Sequence, residues 1–143
     1  MFKPRATTFW IDAGAMQGGA RNQLEMTDAL AKYFGKQART DEVITIQLAP
    51  GVQLVRPLVY RGDDYGHYKE RWRLCLPTAH MGGPAYPNRV VRFDRLRVGG
   101  VNAFQLTVAN RNSAAHKDWK AHSRGAKGGS GTTFGGRQYG WWT

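Results

Sequence analysis

The sequence predicts a mainly-β barrel of about seven short strands with one or two short helices. Three observations carry that expectation. Apolar and polar residues alternate through most of the first two thirds of the chain, as in Ile44, Ile46 and Leu48 or Trp72, Leu74 and Leu76. Glycine- and proline-rich turn signals separate these runs. At 143 residues the chain fits one domain and is long enough for a hydrophobic core.

Each element follows from local pattern. Residues 7–12 read as a first strand, with Phe9 and Ile11 on one face. Residues 13–22 form a glycine-rich loop with polar ends, and Gln23–Met26 alternates as a short strand. Thr27 is placed to cap a helix over residues 28–34, with Asp28 at its positive end and Gly35 just past its stop. Leu30, Tyr33 and Phe34 give that helix an inward face, and packing must hold so short a helix. Residues 43–48 make the next strand, Pro50-Gly51 a turn, and Val52–Tyr60 a strand in which Pro57 marks an edge or a bulge. In residues 72–76, Trp72, Leu74 and Leu76 share one face and Arg73 takes the other, following Arg71. That phase puts Trp72 in the core, and the strand setting makes Cys75 a buried, inert thiol. Residues 77–88 are irregular. Residues 89–98 change phase from Val91 and Phe93 to Leu96 and Val98, which predicts a bulge or turn near Asp94. After a turn at 99–102, Phe104, Leu106 and Val108 complete a strand. Residues 110–131 read as a basic, glycine-rich segment anchored by Trp119, and 128–133 as a mobile turn. The aromatic end, residues 134–142, is placed to close the barrel as a last strand.

Charge identifies a class of partner. There are 21 Lys and Arg against 10 Asp and Glu, for a net charge of +11 and a pI near 10.3. A polyanion is the default partner of such a chain, because each neutralised phosphate releases counterions. The charge is scattered through strands and loops, which argues for a shaped binding surface rather than a basic tail. The single cysteine excludes an internal disulfide and a Cys-rich zinc site. No apolar run approaches the roughly 20 residues that span a bilayer, and no signal peptide is visible. The expectation is a cytoplasmic protein with no membrane partner and no cofactor.

Catalytic motifs fit poorly. A metal-dependent nuclease clusters carboxylates, often with a lysine beside them. Asp63-Asp64 is a close pair without a lysine at the expected offset. Asp118-Trp119-Lys120, with Asp94 upstream, is an acidic-X-Lys match of a kind common by chance. His67-Tyr68-Lys69 lacks the following Asp of a phospholipase-D-type site. His67, His80, His116 and His122 have no metal-ligand spacing. The glycines of residues 128–133 lack the lysine of a phosphate loop, and no nucleophile elbow is present. The chain is expected to bind without its own chemistry, with no catalytic or metal residue.

Two polar loops hold the chemistry that reads duplex DNA. In the major groove Arg and Lys pair with guanine, Asn and Gln with adenine, and Asp and Glu with the cytosine amino group. The first loop and the residue after it offer Gln17, Arg21, Asn22 and Gln23. The second, residues 61–71, offers Arg61, Asp63, Asp64, Tyr65, His67, Tyr68, Lys69 and Arg71. Arg73, Lys117, Lys120, Arg124 and Lys127 supply further cations for phosphates, which position without specifying sequence.

The residues Gly14-Ala15-Met16-Gln17-Gly18-Gly19-Ala20-Arg21-Asn22-Gln23, the strand and helix after them, and Leu58-Val59-Tyr60 running into the second loop resemble a known family. In this order they look like the B3-like DNA-binding pseudobarrel, and most like the effector-binding domain of EcoRII-type (type IIE) restriction endonucleases. The resemblance covers roughly residues 7–108 as architecture. It implies a seven-stranded pseudobarrel whose two arms grip the major groove like a wrench, the arms here being residues 13–22 and 61–71. It also implies double-stranded DNA as partner, a targeting or effector role, and a short recognition site, for which a CCWGG type is the guess. The catalytic nuclease domain would lie elsewhere in the parent protein. Residues beyond 108 have no counterpart in it.

Two other functions stay open. One is an RNA or single-stranded DNA binder on an OB-like barrel, stacking bases on Trp10, Tyr65, Tyr68, Trp72 and Tyr86. The other is a small metal-dependent nuclease using Asp118 and Lys120, with Asp63 and Asp64 as a weaker carboxylate pair.

Overall fold

The computed structural model describes residues 2–16, 21–35, 40–61, 72–98, 101–133 and 135–143. The chain runs β1 (Thr8–Asp12), β2 (Gln23–Met26), α1 (Asp28–Ala31) with a 3-10 turn (Lys32–Phe34), β3 (Glu42–Ala49), β4 (Val52–Tyr60) and β5 (Trp72–Cys75). A second 3-10 turn (Ala79–Met81) precedes β6 (Arg89–Val98), β7 (Val101–Asn110), α2 (Ala114–Ser123), β8 (Gly128–Thr132) and β9 (Gln138–Trp142). The strands make one sheet in the order β2-β5-β4-β3-β7-β6-β1-β9-β8, which curls into an open half-barrel. Every neighbouring pair is antiparallel except β3 and β7.

The mainly-β expectation holds, but the described residues form nine strands, not seven. The last strand does not close a barrel: β9 lies between β1 and β8, and β2 and β8 remain edges.

The concave face carries the main core. Alternation sends Phe9 and Ile11 from β1, Leu24 and Met26 from β2, Ile44 and Ile46 from β3, and Phe93 and Phe104 from β6 and β7 into it. Thr27 caps α1 by accepting the Leu30 N–H at 3.3 Å, and Gly35 ends the following turn with φ +86°. This helical segment drops Leu30, Tyr33 and Phe34 into the hollow of the sheet. Phe34 meets Phe93 and Phe104 edge-on, with centroids 5.0 and 4.9 Å away.

β1 is buried on both faces. Its opposite side presents Trp10, which packs with Val90 and Trp119 beneath α2. The Trp10 Nε1 donates to Ser123 Oγ at 2.8 Å, and that hydroxyl donates to the Trp119 carbonyl at 3.0 Å. Gly140 of β9 must lack a side chain, because a Cβ there would lie 2.5 Å from Trp10 Nε1. Arg92 lies over the rings of Trp119 and Trp142, 5.4 and 5.0 Å from their centroids, while Asp94 holds its guanidinium.

Several sequence expectations need correction. Residues 110–131 are not a loose basic segment, for they contain α2 and β8. Ser113 caps α2 by accepting the His116 N–H at 3.2 Å, and His116, Trp119 and Ser123 form its buried face. Residues 128–132 form the edge strand β8, with Gly129 and Gly131 lying against the rings of Trp141 and Tyr139. No bulge interrupts β6, whose register with β7 is one-to-one from Arg89 to Val98. The inward row continues through Arg95, whose guanidinium donates to the carbonyls of Pro4, Ala6 and Tyr33 and so substitutes for an apolar side chain. Pro57 lies in an interior strand, at the point where the ladder to β5 stops at Leu58. Cys75 is half-buried, because it alternates with the inward Leu74.

Two measurements check this packing. Ser123→Ala leaves the buried Trp10 N–H without an acceptor, so it should cost about 1–3 kcal/mol in urea unfolding. An unchanged midpoint would contradict the role given to this hydroxyl. His116 supplies the second. Its Nδ1 accepts the Asn112 N–H at 2.9 Å, and its buried Nε2 has no partner among the described residues. Burial, and then the charge of Lys120, hold this imidazole below its ordinary pKa of 6.5, with Asp12 opposing and Arg111 assisting. With the folded value depressed, the unfolded chain takes the proton first as pH falls through 6.5. Stability should therefore fall below neutral pH until the folded value is passed. His116→Gln should flatten that slope, and an identical slope would contradict the assignment.

Candidate nucleic-acid interface

The two polar loops depart from opposite ends of one short ladder. β2 and β5 pair from Gln23 with Cys75 to Met26 with Trp72. The first loop enters β2 at Gln23. The second leaves β4 at Tyr60 and enters β5 at Trp72, and these two residues are themselves paired, with ring centroids 4.9 Å apart. Alternation places Leu24, Met26, Trp72 and Leu74 in the core, so Gln23, Glu25 and Arg73 lie on the outer face between the loops.

Arg137, just before β9, organises the base of the first loop. Its guanidinium donates to the Asp12 carbonyl at 3.2 Å and to the Glu25 carbonyl. It thereby ties the strand before the loop to the strand after it. Gly14 turns the chain with φ +71°, and its Cβ would meet the Arg137 side chain at 3.0 Å. Asp12 accepts the Gly14 N–H at 2.8 Å and a two-pronged ion pair from Arg111 at 2.6 and 2.7 Å. Burial alone would raise the Asp12 pKa, but the bonds from Arg111 and Gly14 and the charges of Arg111 and Arg137 hold it below the ordinary carboxylate value. A cleft of about 300 Å³ opens here, lined by residues 13–16 with Gln23, Glu25, Arg73 and Arg137.

The sequence-predicted site residues fall into three groups. Gln17, Asp63, Asp64, Tyr65, His67, Tyr68, Lys69 and Arg71 lie outside the described residues. At the ladder, Arg21 and Arg61 are exposed at the described ends of the two loops. Asn22 buttresses the first loop, its Nδ2 donating to the Leu76 carbonyl at 2.8 Å. Arg73 donates to Gln23 Oε1 at 3.1 Å and lies 3.3 Å from Glu25 Oε1, so these three act as one polar cluster. The third group lies on and after α2, off the ladder. Lys117 and Lys120 on α2 and Arg124 at its C-cap form a stripe, each one residue beyond a buried one and so rotated by about 100° from the packed face. Lys127 follows before β8. Lys120 and Arg124 also line a cleft of about 280 Å³ with Ser130, Thr132 and Gln138.

Sequence reasoning missed Arg137. Only its position before the aromatic strand could have pointed to it, since the partners are backbone carbonyls. The stacking candidates Trp10, Trp72 and Tyr86 are each 2% exposed and so give no free ring face. Among the described residues no three His, Cys, Asp or Glu side chains converge as a metal site. Asp94 is held by Arg92 and Thr8, and Asp118 stands exposed 3.5 Å from His122. No helix among the described residues is long and apolar enough to cross a membrane. Scanned against protein-family models the chain matches none, and a search of curated proteins likewise finds no match.

Arg137→Ala removes charge-assisted bonds to two carbonyls and should cost about 1.5–3 kcal/mol. The Gly14 amide should exchange with solvent faster in that variant, while amides of the β6–β7 ladder keep their relative protection. Arg137→Lys should recover only part of the loss, because one ammonium cannot reproduce the guanidinium fork. Unchanged exchange at Gly14 would contradict the role of this side chain.

Proposed function

We propose that this chain is a sequence-specific double-stranded DNA-binding domain that grips the major groove with residues 13–22 and 61–71. The observation that carries this function is the departure of both loops from opposite ends of the four-residue β2–β5 ladder. At about 3.3 Å per residue that ladder spans about 13 Å, comparable to the ~12 Å width of the major groove. Two loops so spaced can enter one groove together. Arg21, Arg61, Asp63, Asp64 and His67 would read base edges from them, with Asn22 holding the first loop in place. Lys69, Arg71 and Arg73 would meet phosphates beside the groove. The α2 stripe with Lys127 would add phosphate contacts to a flanking segment of duplex.

The residues that carry the resemblance suggest the B3-like pseudobarrel as the parent fold, from which the open nine-stranded sheet departs. On that reading the domain targets or regulates a restriction endonuclease whose catalytic domain lies elsewhere in the parent protein. The burial of Trp10, Trp72 and Tyr86 weighs against the single-strand alternative.

The test is Arg61→Ala on a duplex site selected by the native domain. Loss of a base-reading arginine should cost about 1–3 kcal/mol on that site and relax selectivity at one position. Random duplexes should be bound almost as before. Equal loss on selected and random duplexes would remove base reading from Arg61.

A further inference from the structure

A second basic feature lies at the far end of β1 from the first loop. Pro4, Arg5, Lys32, Tyr33, Gly35, Arg95 and Arg97 surround a cleft of about 390 Å³. That volume falls within the range of small-ligand sites. Four of the lining side chains are cationic and none is a carboxylate.

Arg95 is the fixed element. Its Nη2 donates to the Pro4 and Tyr33 carbonyls at 2.9 and 2.8 Å, and its guanidinium carbon lies 4.6 Å from the Tyr33 ring centroid. All its acceptors are neutral carbonyls, and its Nη1 has no partner among the described residues. The nearest carboxylate in sequence, Asp94, is occupied by Arg92 and Thr8. Arg5, Lys32 and Arg97 are exposed, and no hydrogen bond or ion pair holds their side chains among the described residues. A cleft with one fixed guanidinium and three adjustable cations repels itself until an anion enters. Several donors converging from different elements suit a tetrahedral, multiply charged oxyanion better than a single carboxylate.

We infer that this cleft binds a phosphoryl group, with Arg95 as the fixed donor and Arg5, Lys32 and Arg97 closing on it. The group is either a backbone phosphate of bound duplex or a free phosphate-bearing molecule. The duplex source rests on the proposed DNA-binding function, and the fold gives it a location. Lys32 lies one helical turn beyond Asp28, whose carboxylate accepts the Trp72 indole N–H at 2.6 Å where the second loop enters β5. The cleft therefore shares the α1 segment with the start of β5.

The experiment has two arms. In the first, inorganic phosphate is titrated into the native protein without DNA, and backbone amide shifts are followed by NMR. Saturable shifts at Gly35, Arg95 and Arg97, lost in the double variant Arg5→Gln/Arg97→Gln, support the site. Their absence at millimolar phosphate, or their survival in the double variant, overturns it. Both substitutions fall on exposed side chains, and retained shift dispersion confirms folding. The second arm measures duplex affinity against salt. A slope of log affinity on log salt lowered by about one unit per lost phosphate contact assigns the duplex as source. An unchanged slope, with phosphate shifts present, assigns the free molecule. Failure of the native domain to bind any duplex would defeat the DNA-binding proposal while leaving the first arm to decide the cleft.

Discussion

The guanidinium of Arg137 holds the two strands on which the candidate interface depends. An open sheet has no closing ladder to fix how far its ends curl towards each other. Here β2 is an edge at one end of the order, while β1 lies near the other, and residues 13–22 must connect them. Hydrogen bonds from one planar side chain to the Asp12 and Glu25 carbonyls set that separation. Arg111 clamps Asp12 from the other side, so the loop base is fixed by cations on both flanks. Positive charge that stabilises the fold thus also surrounds the place where a polyanion is proposed to dock.

The curl needs support on both faces of the sheet. The concave side is filled by the α1 segment, whose Tyr33 and Phe34 meet Phe9, Phe93 and Phe104. The convex side of β1 is covered by α2, with Trp10 and Trp119 as the large surfaces. Burying aromatic side chains on both faces anchors β1 in the sheet, at roughly 25 cal/mol per Å² of apolar area removed from water. The first loop, which leaves β1, can then carry polar and charged residues without needing a core of its own.

Much of this was legible in the sequence. Period-two alternation located β1 to β7, and Thr27 with Gly35 bracketed the first helical segment. The failures share a cause. α2 buries His116, Trp119 and Ser123, only one of them a hydrophobe, so its helical period is masked by polar chemistry. β8 is a glycine-rich strand with low intrinsic propensity, and it forms because aromatic rings of β9 lie against its glycines. Arg95 breaks the apolar row of β6 while staying in phase, which imitates a bulge. In the candidate interface, the residue types of Asn22, Gln23 and Arg73 were legible, but their mutual bonds were not. Arg137 was hidden because backbone carbonyls carry no side-chain signature.

The ladder, the Arg137 clamp and the basic flanks underlie the proposal that a half-barrel presents two loops across one groove width of duplex DNA. The most direct measurement is selection of bound molecules from a pool mixing random duplexes with random single strands, followed by sequencing. The account predicts that duplexes are retained over single strands and converge on a short consensus. Recovery of single strands in preference, or duplexes without any consensus, would contradict it.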